Sequence, residues 1–371
     1  MMNRNLFFLL PSLPKTPAGG YKIAYQYADF FANLGYKVHL VYPYAKSDFL
    51  SNKTYSFLFR LKTFIGFYYR NFRNQLDFSY WYQFKNQITN HIVFSLSPKF
   101  INKLFSPDSI IFATAVQTAY DAFNIKKTPD KNKFYLIQDF ENWNGKSDDF
   151  VYNSYKLPLT KIVISKWLQK EVEKAGSTAT IIPNGLNFDY FKLTTPISER
   201  KPTEIAMLYH TDERKRCCDS MAALDIVKKQ IPDLHVSIFG TPDKPKDLPE
   251  WYSYYKTPDQ ETHNKIYNDA AIFVAASERE GWALPPAEAM QCGAALACTE
   301  IGVFSDYAVN EKYALLSPVY DVKALADNIL RLIQNNDLRI KLAKDGNNFI
   351  QQFTQENANS KIKELVETTI Y

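Results

Sequence analysis

Ser277-Glu278-Arg279-Glu280-Gly281-Trp282-Ala283-Leu284-Pro285-Pro286-Ala287-Glu288-Ala289-Met290-Gln291-Cys292-Gly293 is the stretch around which the rest of the chain is read. The apolar run Ala271-Ile272-Phe273-Val274-Ala275-Ala276 enters it and predicts a buried strand. Pro285-Pro286 fits only the first turn of a helix, because proline lacks the N–H that later turns need. Glu280 is therefore expected on a loop and Glu288 about one turn into a short helix that Gly293 ends in a left-handed conformation. A helix that starts beyond a strand's carboxyl end points its N-terminus at the place where open α/β sheets bind ligands.

Working backwards, Glu204-Ile205-Ala206-Met207-Leu208-Tyr209 reads as the first strand of the same domain. It leads into His210-Thr211-Asp212-Glu213-Arg214-Lys215-Arg216 and a helix from about Asp219 to Lys229. Three adjacent cations at a strand-to-helix turn suit a phosphate group, although a charge run at a loop tip is more often simply solvated. Strands at 235–240, 295–298 and 313–316, a helix at 260–269, a turn at Ile301-Gly302 and helical patterns over 322–335, 338–353 and from about Glu356 complete this half.

The first half repeats the alternation. Leu6 to Leu10 reads as a buried strand, followed by a loop carrying Gly19-Gly20, a helix from Tyr21 to Asn33 and the strand 37–42. The glycines lack the G-x-G-x-x-G spacing of a dinucleotide site, and no phosphate-loop motif occurs, which disfavours NAD-type cofactors and NTPases. Further on, the strand 134–137 ends in Gln138-Asp139-Phe140-Glu141, polar groups at a strand's carboxyl end that suit either binding or capping. Two carboxylates without further ligands make a poor Mg²⁺ site, so no metal is expected. Ile182-Pro183-Asn184-Gly185 breaks the pattern and marks the domain boundary.

Composition narrows the class. With 371 residues, 46% hydrophobic and 22% charged, the chain reads as two globular α/β domains without low-complexity tracts. Cys217, Cys218, Cys292 and Cys298 have neither zinc spacing nor a disulfide framework, which suits reduced thiols in the cytoplasm. The apolar run of five before Pro11 is shorter than the roughly 7–15 residues of a signal peptide's core. No run of about 18 apolar residues reads as a membrane span.

Residues 46–105 differ in kind: nine Lys and Arg stand against Asp48 and Asp77, a net of +7 where the whole chain carries +5. Within it Phe57, Leu61, Phe64, Tyr68 and Phe72 recur at helical spacing, with Lys62, Arg70 and Arg73 expected on the opposite side. Such a helix, within residues 55–84, either lies at an anionic membrane surface or packs on its own domain with a solvated basic face. Nucleic acid is disfavoured, because the aromatics form the apolar stripe instead of interleaving with the cations.

Glu280 and Glu288, with seven residues between them, resemble the E-x7-E motif of the family-four retaining glycosyltransferases of the GT-B fold. Ile182 to Gly185 followed by Phe191 resembles their interdomain segment, and the likeness is closest to rhamnosyltransferase-like enzymes of bacterial surface polysaccharide synthesis, such as lipopolysaccharide or capsule. The resemblance implies two facing Rossmann-like doubly wound domains: residues 1–185 for the acceptor, 186–354 for the donor, and a C-terminal helix at 355–371 crossing back onto the first. It implies that Glu280 faces the transferred sugar, Lys215 neutralises the diphosphate and Glu288 holds the donor's ribose. Arg214, His210, Gly281, Trp282, Ala283, Leu284, Gly19, Gly20 and Gly302 complete the expected donor site, with Trp282 either a wall of the sugar pocket or a packed aromatic. Gln138, Asp139 and Glu141 are the expected acceptor contacts, and the acceptor a glycan or polyprenyl-linked glycan. No metal or cofactor is implied, and the expected location is cytoplasmic, peripheral on the inner membrane face. Two departures stand out: the family usually has Lys-Gly at Lys215-Arg216 and Gly-Gly at Gly302-Val303. A GT-B epimerase or hydrolase, or a non-catalytic subunit of a polysaccharide synthase, are the other readings.

Overall fold

A computed structural model describes residues 4–14, 18–45, 57–73, 82–143 and 145–370. The flanks of the basic segment, 46–56 and 74–81, and the side chains of Phe57 and Arg60 lie outside the described residues. The chain divides into two compact units, residues 1–183 with 359–371, and residues 184–358.

The first unit runs β1 (Asn5–Leu9), α1 (Gly19–Asn33), β2 (Lys37–Pro43), α2 (Phe57–Phe72), β3 (Thr89–Val93), α3 (Pro98–Ile101), β4 (Ile110–Ala113), α4 (Val116–Asn124), β5 (Lys133–Ile137), α5 (Asp148–Tyr155), β6 (Thr160–Val163), α6 (Lys166–Lys174) and β7 (Thr180–Ile181). Its seven strands form one sheet in the order β3-β2-β1-β4-β5-β6-β7, with every pair parallel. Parallel strands covered on both faces are apolar throughout, which is why Leu6 to Leu9 and Ile110 to Ala113 are buried without alternation.

The second unit runs β8 (Glu204–Leu208), α7 (Cys217–Gln230), β9 (His235–Gly240), β10 (Tyr252–Lys256), α8 (Gln260–Asp269), β11 (Ile272–Ala275), α9 (Leu284–Gln291), β12 (Ala295–Thr299), α10 (Phe304–Tyr307), β13 (Ala314–Ser317), α11 (Val322–Gln334) and α12 (Asn336–Ile350). Helix α13 (Gln355–Ile370) follows, its residues from 359 counting with the first unit. The sheet order is β10-β9-β8-β11-β12-β13, again parallel. Asp321 caps α11 by accepting from the Ala324 N–H at 2.9 Å, and Leu325, Ile329, Leu332 and Ile333 form its buried stripe.

In both orders the chain reverses direction beside the first strand, between β1 and β4 and between β8 and β11. At such a switch point the loops leaving two adjacent strands run to opposite faces and leave room for a ligand. The structure also departs from the sequence reading. Gly19 and Gly20 form the first turn of α1 instead of preceding it, and the turn at Gly302 runs into the short α10. Strands β3 and β10 and helix α5 had no clear signal: β10 is Tyr-Ser-Tyr-Tyr-Lys at a sheet edge, where alternation weakens.

Candidate active site

The register Met207↔Val274 sets the ends of β8 and β11 side by side, so the loop 209–216 and the loop 276–283 emerge together although about 65 residues separate them in sequence. The Glu278 N–H donates to the Arg214 carbonyl at 2.9 Å and ties the two loops directly. Across them the Lys215 ammonium donates to both Glu280 carboxylate oxygens, at 2.7 Å to Oε1 and 2.6 Å to Oε2. The side chains are 22% and 12% exposed, enough desolvation that salt screens the attraction weakly. Ser277, buried at the root of the loop, donates to Glu280 Oε1 at 2.8 Å and fixes the carboxylate's rotation. A cavity opens here, lined among others by Leu208, Lys215, Cys217, Ser277, Glu280 and Pro285.

The remaining cations are committed. Arg214 donates to Asp212 from its backbone N–H and guanidinium, the closest contact being 2.6 Å, and these bonds hold the Asp212 carboxyl below its ordinary range. Burial, with Lys215 nearby, pushes the His210 imidazole down, so the ring stays neutral at pH 7 and its Nδ1 accepts from the Asp212 N–H at 2.9 Å. Arg216 takes φ 46°, a left-handed conformation that glycine adopts without strain, which is the residue the resembled family uses there. Its guanidinium pairs with Asp219 at 2.8 Å and lies 5.0 Å from the centre of the Tyr320 ring, whose hydroxyl donates to Glu278 Oε2 at 2.6 Å. This arginine therefore braces the rim of the two loops.

Glu288 sits in the second turn of α9, 7% exposed, and accepts from the Tyr267 hydroxyl at 3.2 Å. Ala283 precedes the helix at φ 57°, ψ 67°, a second left-handed non-glycine. The Tyr307 hydroxyl holds that turn by donating to the Ala283 carbonyl at 2.9 Å. Leu284 and Pro285 then begin the helix, Gly281 is buried in the loop, and Gly302 is exposed ahead of α10. Trp282 sits as a packed aromatic: it is 2% exposed, at 5.2 Å from the Phe353 ring and 5.4 Å from that of Tyr307.

In the first unit, the Gln138 Nε2 donates to the Gly20 carbonyl at 3.0 Å, joining the ends of β5 and α1. Asp139 accepts from the next backbone N–H at 2.8 Å. Of the two uses open to it, Glu141 takes the cap: it is 8% exposed and accepts from the Val116 N–H at 3.0 Å at the first turn of α4. Burial pushes its carboxyl up to about 7 and pushes the Lys146 ammonium, 3.9 Å away, down.

Ser277, Tyr267, Tyr307 and Tyr320 were not singled out in the sequence. Ser277 had a signal, a hydroxyl three residues before a loop carboxylate, whereas the tyrosines reach their partners across 21, 24 and 42 residues with no pattern to announce it.

Known proteins resemble the chain in sequence over part of its length and in fold over nearly all of it. A phosphatidyl-myo-inositol mannosyltransferase of Mycolicibacterium smegmatis is 23% identical over 209 residues, 53% of this chain and 54% of that protein. The chain spans about half the length of the curated relatives it matches. Among solved structures, the Anabaena protein HepE in complex with UDP-glucose superposes with a TM-score of 0.70 at 14% identity over 98% of this chain and 99% of that one. A glycosyltransferase of Rickettsia africae gives 0.71 at 14% identity over 99% of each chain. These likenesses show the fold, two parallel-sheet Rossmann-like domains of the GT-B kind. The unit that carries Lys215, Glu280 and Glu288 is also the part that matches a family model, that of the glycosyl transferases group 1, over residues 196–349.

Proposed function

We propose that the chain is a retaining, metal-independent glycosyltransferase that moves a hexose-type sugar from a nucleotide-sugar donor to a glycan or lipid-linked glycan of the cell surface. The observation that carries this reading is the Lys215–Glu280 pair over a cavity at the β8/β11 switch point, with Glu288 on the helix that begins beside it. Lys215 is the group that neutralises the leaving diphosphate, a role that requires it to exchange Glu280 for phosphate oxygens as the donor enters. Glu280, released from the cation but still held by Ser277, then faces the sugar as its anomeric carbon gains positive charge. The bond from that carbon to the diphosphate breaks, the acceptor oxygen bonds on the same face, and the acceptor's proton passes to the departing phosphate. Glu288 holds the ribose hydroxyls, its second oxygen positioned by Tyr267.

The test is donor turnover by the purified chain with a panel of nucleotide sugars, followed by Glu280→Gln and Lys215→Ala. Turnover by the wild type that falls at least about a hundredfold in each variant, at unchanged folding, supports the assignment. Unchanged turnover in Glu280→Gln would sink the role given to that carboxylate. Donor hydrolysis that never responds to any added acceptor would favour the hydrolase reading.

A further inference from the structure

The sequence left two uses open for the amphipathic helix, a membrane surface or packing on its own domain. Among the described residues, eight of the eleven large apolar side chains that are exposed lie on α2. The helix is anchored by its other side: Phe67 is buried with its ring 5.1 Å from Tyr44, and Phe64 reaches Phe94 at 5.0 Å. Tyr44 and Phe94 follow β2 and β3 directly, their backbones extending that ladder through the Tyr44 N–H to the Val93 carbonyl at 2.8 Å. The helix therefore sits at the carboxyl edge of the sheet, the same edge that presents Gln138 and Gly20.

Leu58, Leu61, Ile65, Tyr68, Tyr69 and Phe72 recur at three- and four-residue spacing and form one face, Leu58 at 74% and Phe72 at 89% exposure. Apolar side chains this exposed over a 16-residue helix, roughly 24 Å long, are not a packed stripe. This face is turned from the stripe read in the sequence, since Phe64 packs inward, and the cations lie beside it. Lys62, Arg70 and Arg73 are exposed, and the Arg73 guanidinium lies 4.6 Å from the centre of the Tyr69 ring. Residues 57–73 contain four cations and no acid.

We propose that this face of α2 docks on an anionic lipid bilayer, lying in the interface with its apolar side chains inserted and its cations at the headgroups. Charge decides the occupant. A second copy would bring the same cations together across a two-fold interface, and water alone leaves the stripe unburied, whereas anionic headgroups complement the cations while the acyl boundary takes the apolar rings. None of the helices among the described residues is long and apolar enough to cross a membrane, so the helix lies on the surface. The carboxyl edge of the first unit's sheet is then held at the membrane. The inference stands on α2 alone and does not depend on the transferase reading.

The experiment is flotation of the full chain with vesicles of phosphatidylcholine, alone or mixed with phosphatidylglycerol. The wild type should float with the mixed vesicles roughly ten- to a hundredfold better than with the neutral ones, and the difference should shrink as salt is raised. A triple variant Leu58→Ser, Ile65→Ser, Phe72→Ser should lose flotation on both. The triple variant Lys62→Gln, Arg70→Gln, Arg73→Gln should lose the preference for anionic lipid. Circular dichroism and donor turnover without vesicles should match the wild type in both variants, so that absent turnover counts against the transferase and absent flotation against the docking face. Flotation that is absent in the wild type, equal on both vesicles, or untouched by either variant overturns the proposal. So does sedimentation showing a dimer that the serine variant dissociates.

Discussion

Glu141 is a carboxyl whose environment has turned it into a pH-sensitive support. With its ordinary value near 4.5 and a folded value raised to about 7, the native state holds the proton more tightly than the unfolded chain does. Between those values folding therefore loses stability as pH rises, by about 3 kcal/mol in total, and the contribution is fully present only below the unfolded value. Glu141→Gln keeps an acceptor for the Val116 N–H but cannot ionise. Thermal unfolding should show this variant nearly as stable as the wild type at pH 5 and more stable at pH 7.5. A wild-type loss between those pH values that the variant fully retains would remove Glu141 as its cause. Arg216 carries the opposite lesson, since its backbone strain is accepted for the sake of a side chain that reaches Asp219 and Tyr320.

At the scale of elements, α9 is bounded at both ends by left-handed backbone, sustained at the start by a tertiary contact and at the end by a local one. Its start is the left-handed Ala283 held by Tyr307, and its end is Gly293 at φ 88°, after which the Ala294 N–H donates back to the Ala289 carbonyl at 2.9 Å. A side chain at Gly293 would place its Cβ 2.8 Å from Leu193 Cδ1 and 2.9 Å from Ile197 Cγ1. Gly293→Ala should therefore lower the urea midpoint by an amount corresponding to on the order of 2–4 kcal/mol, from left-handed strain plus overpacking. A midpoint within error of the wild type would mean that the segment carrying Leu193 and Ile197 yields freely. The proline pair and this glycine were readable as helix punctuation, because each acts through its own backbone. The Tyr307 brace was not, because the hydroxyl arrives from beyond β12.

For the whole molecule, two compact units that unfold in separate transitions would let calorimetry assign a ligand to one of them. Lys215, Glu280 and Glu288 all lie in the unit 184–358. Saturating UDP or another nucleoside diphosphate at about a hundred times its dissociation constant should stabilise that unit by about 2.7 kcal/mol and raise its unfolding transition. The transition of the other unit should stay in place. A shift confined to the first unit would contradict the assignment of the donor groups.

The sequence by itself determined the α/β class, most of the elements and the loop-helix setting of Glu280 and Glu288, because apolar runs, helical periodicity, prolines and glycines act within a few residues of themselves. Tertiary structure alone decided what those residues meet. The β8–β11 register closed Lys215 onto Glu280, Ser277 aimed the carboxylate and Tyr267 reached Glu288. Folding also withdrew Trp282 and Glu141 into packed surroundings, and it left the apolar face of α2 outside the core. Burial and partnership depend on strand order and on contacts tens of residues apart, and no local pattern encodes them.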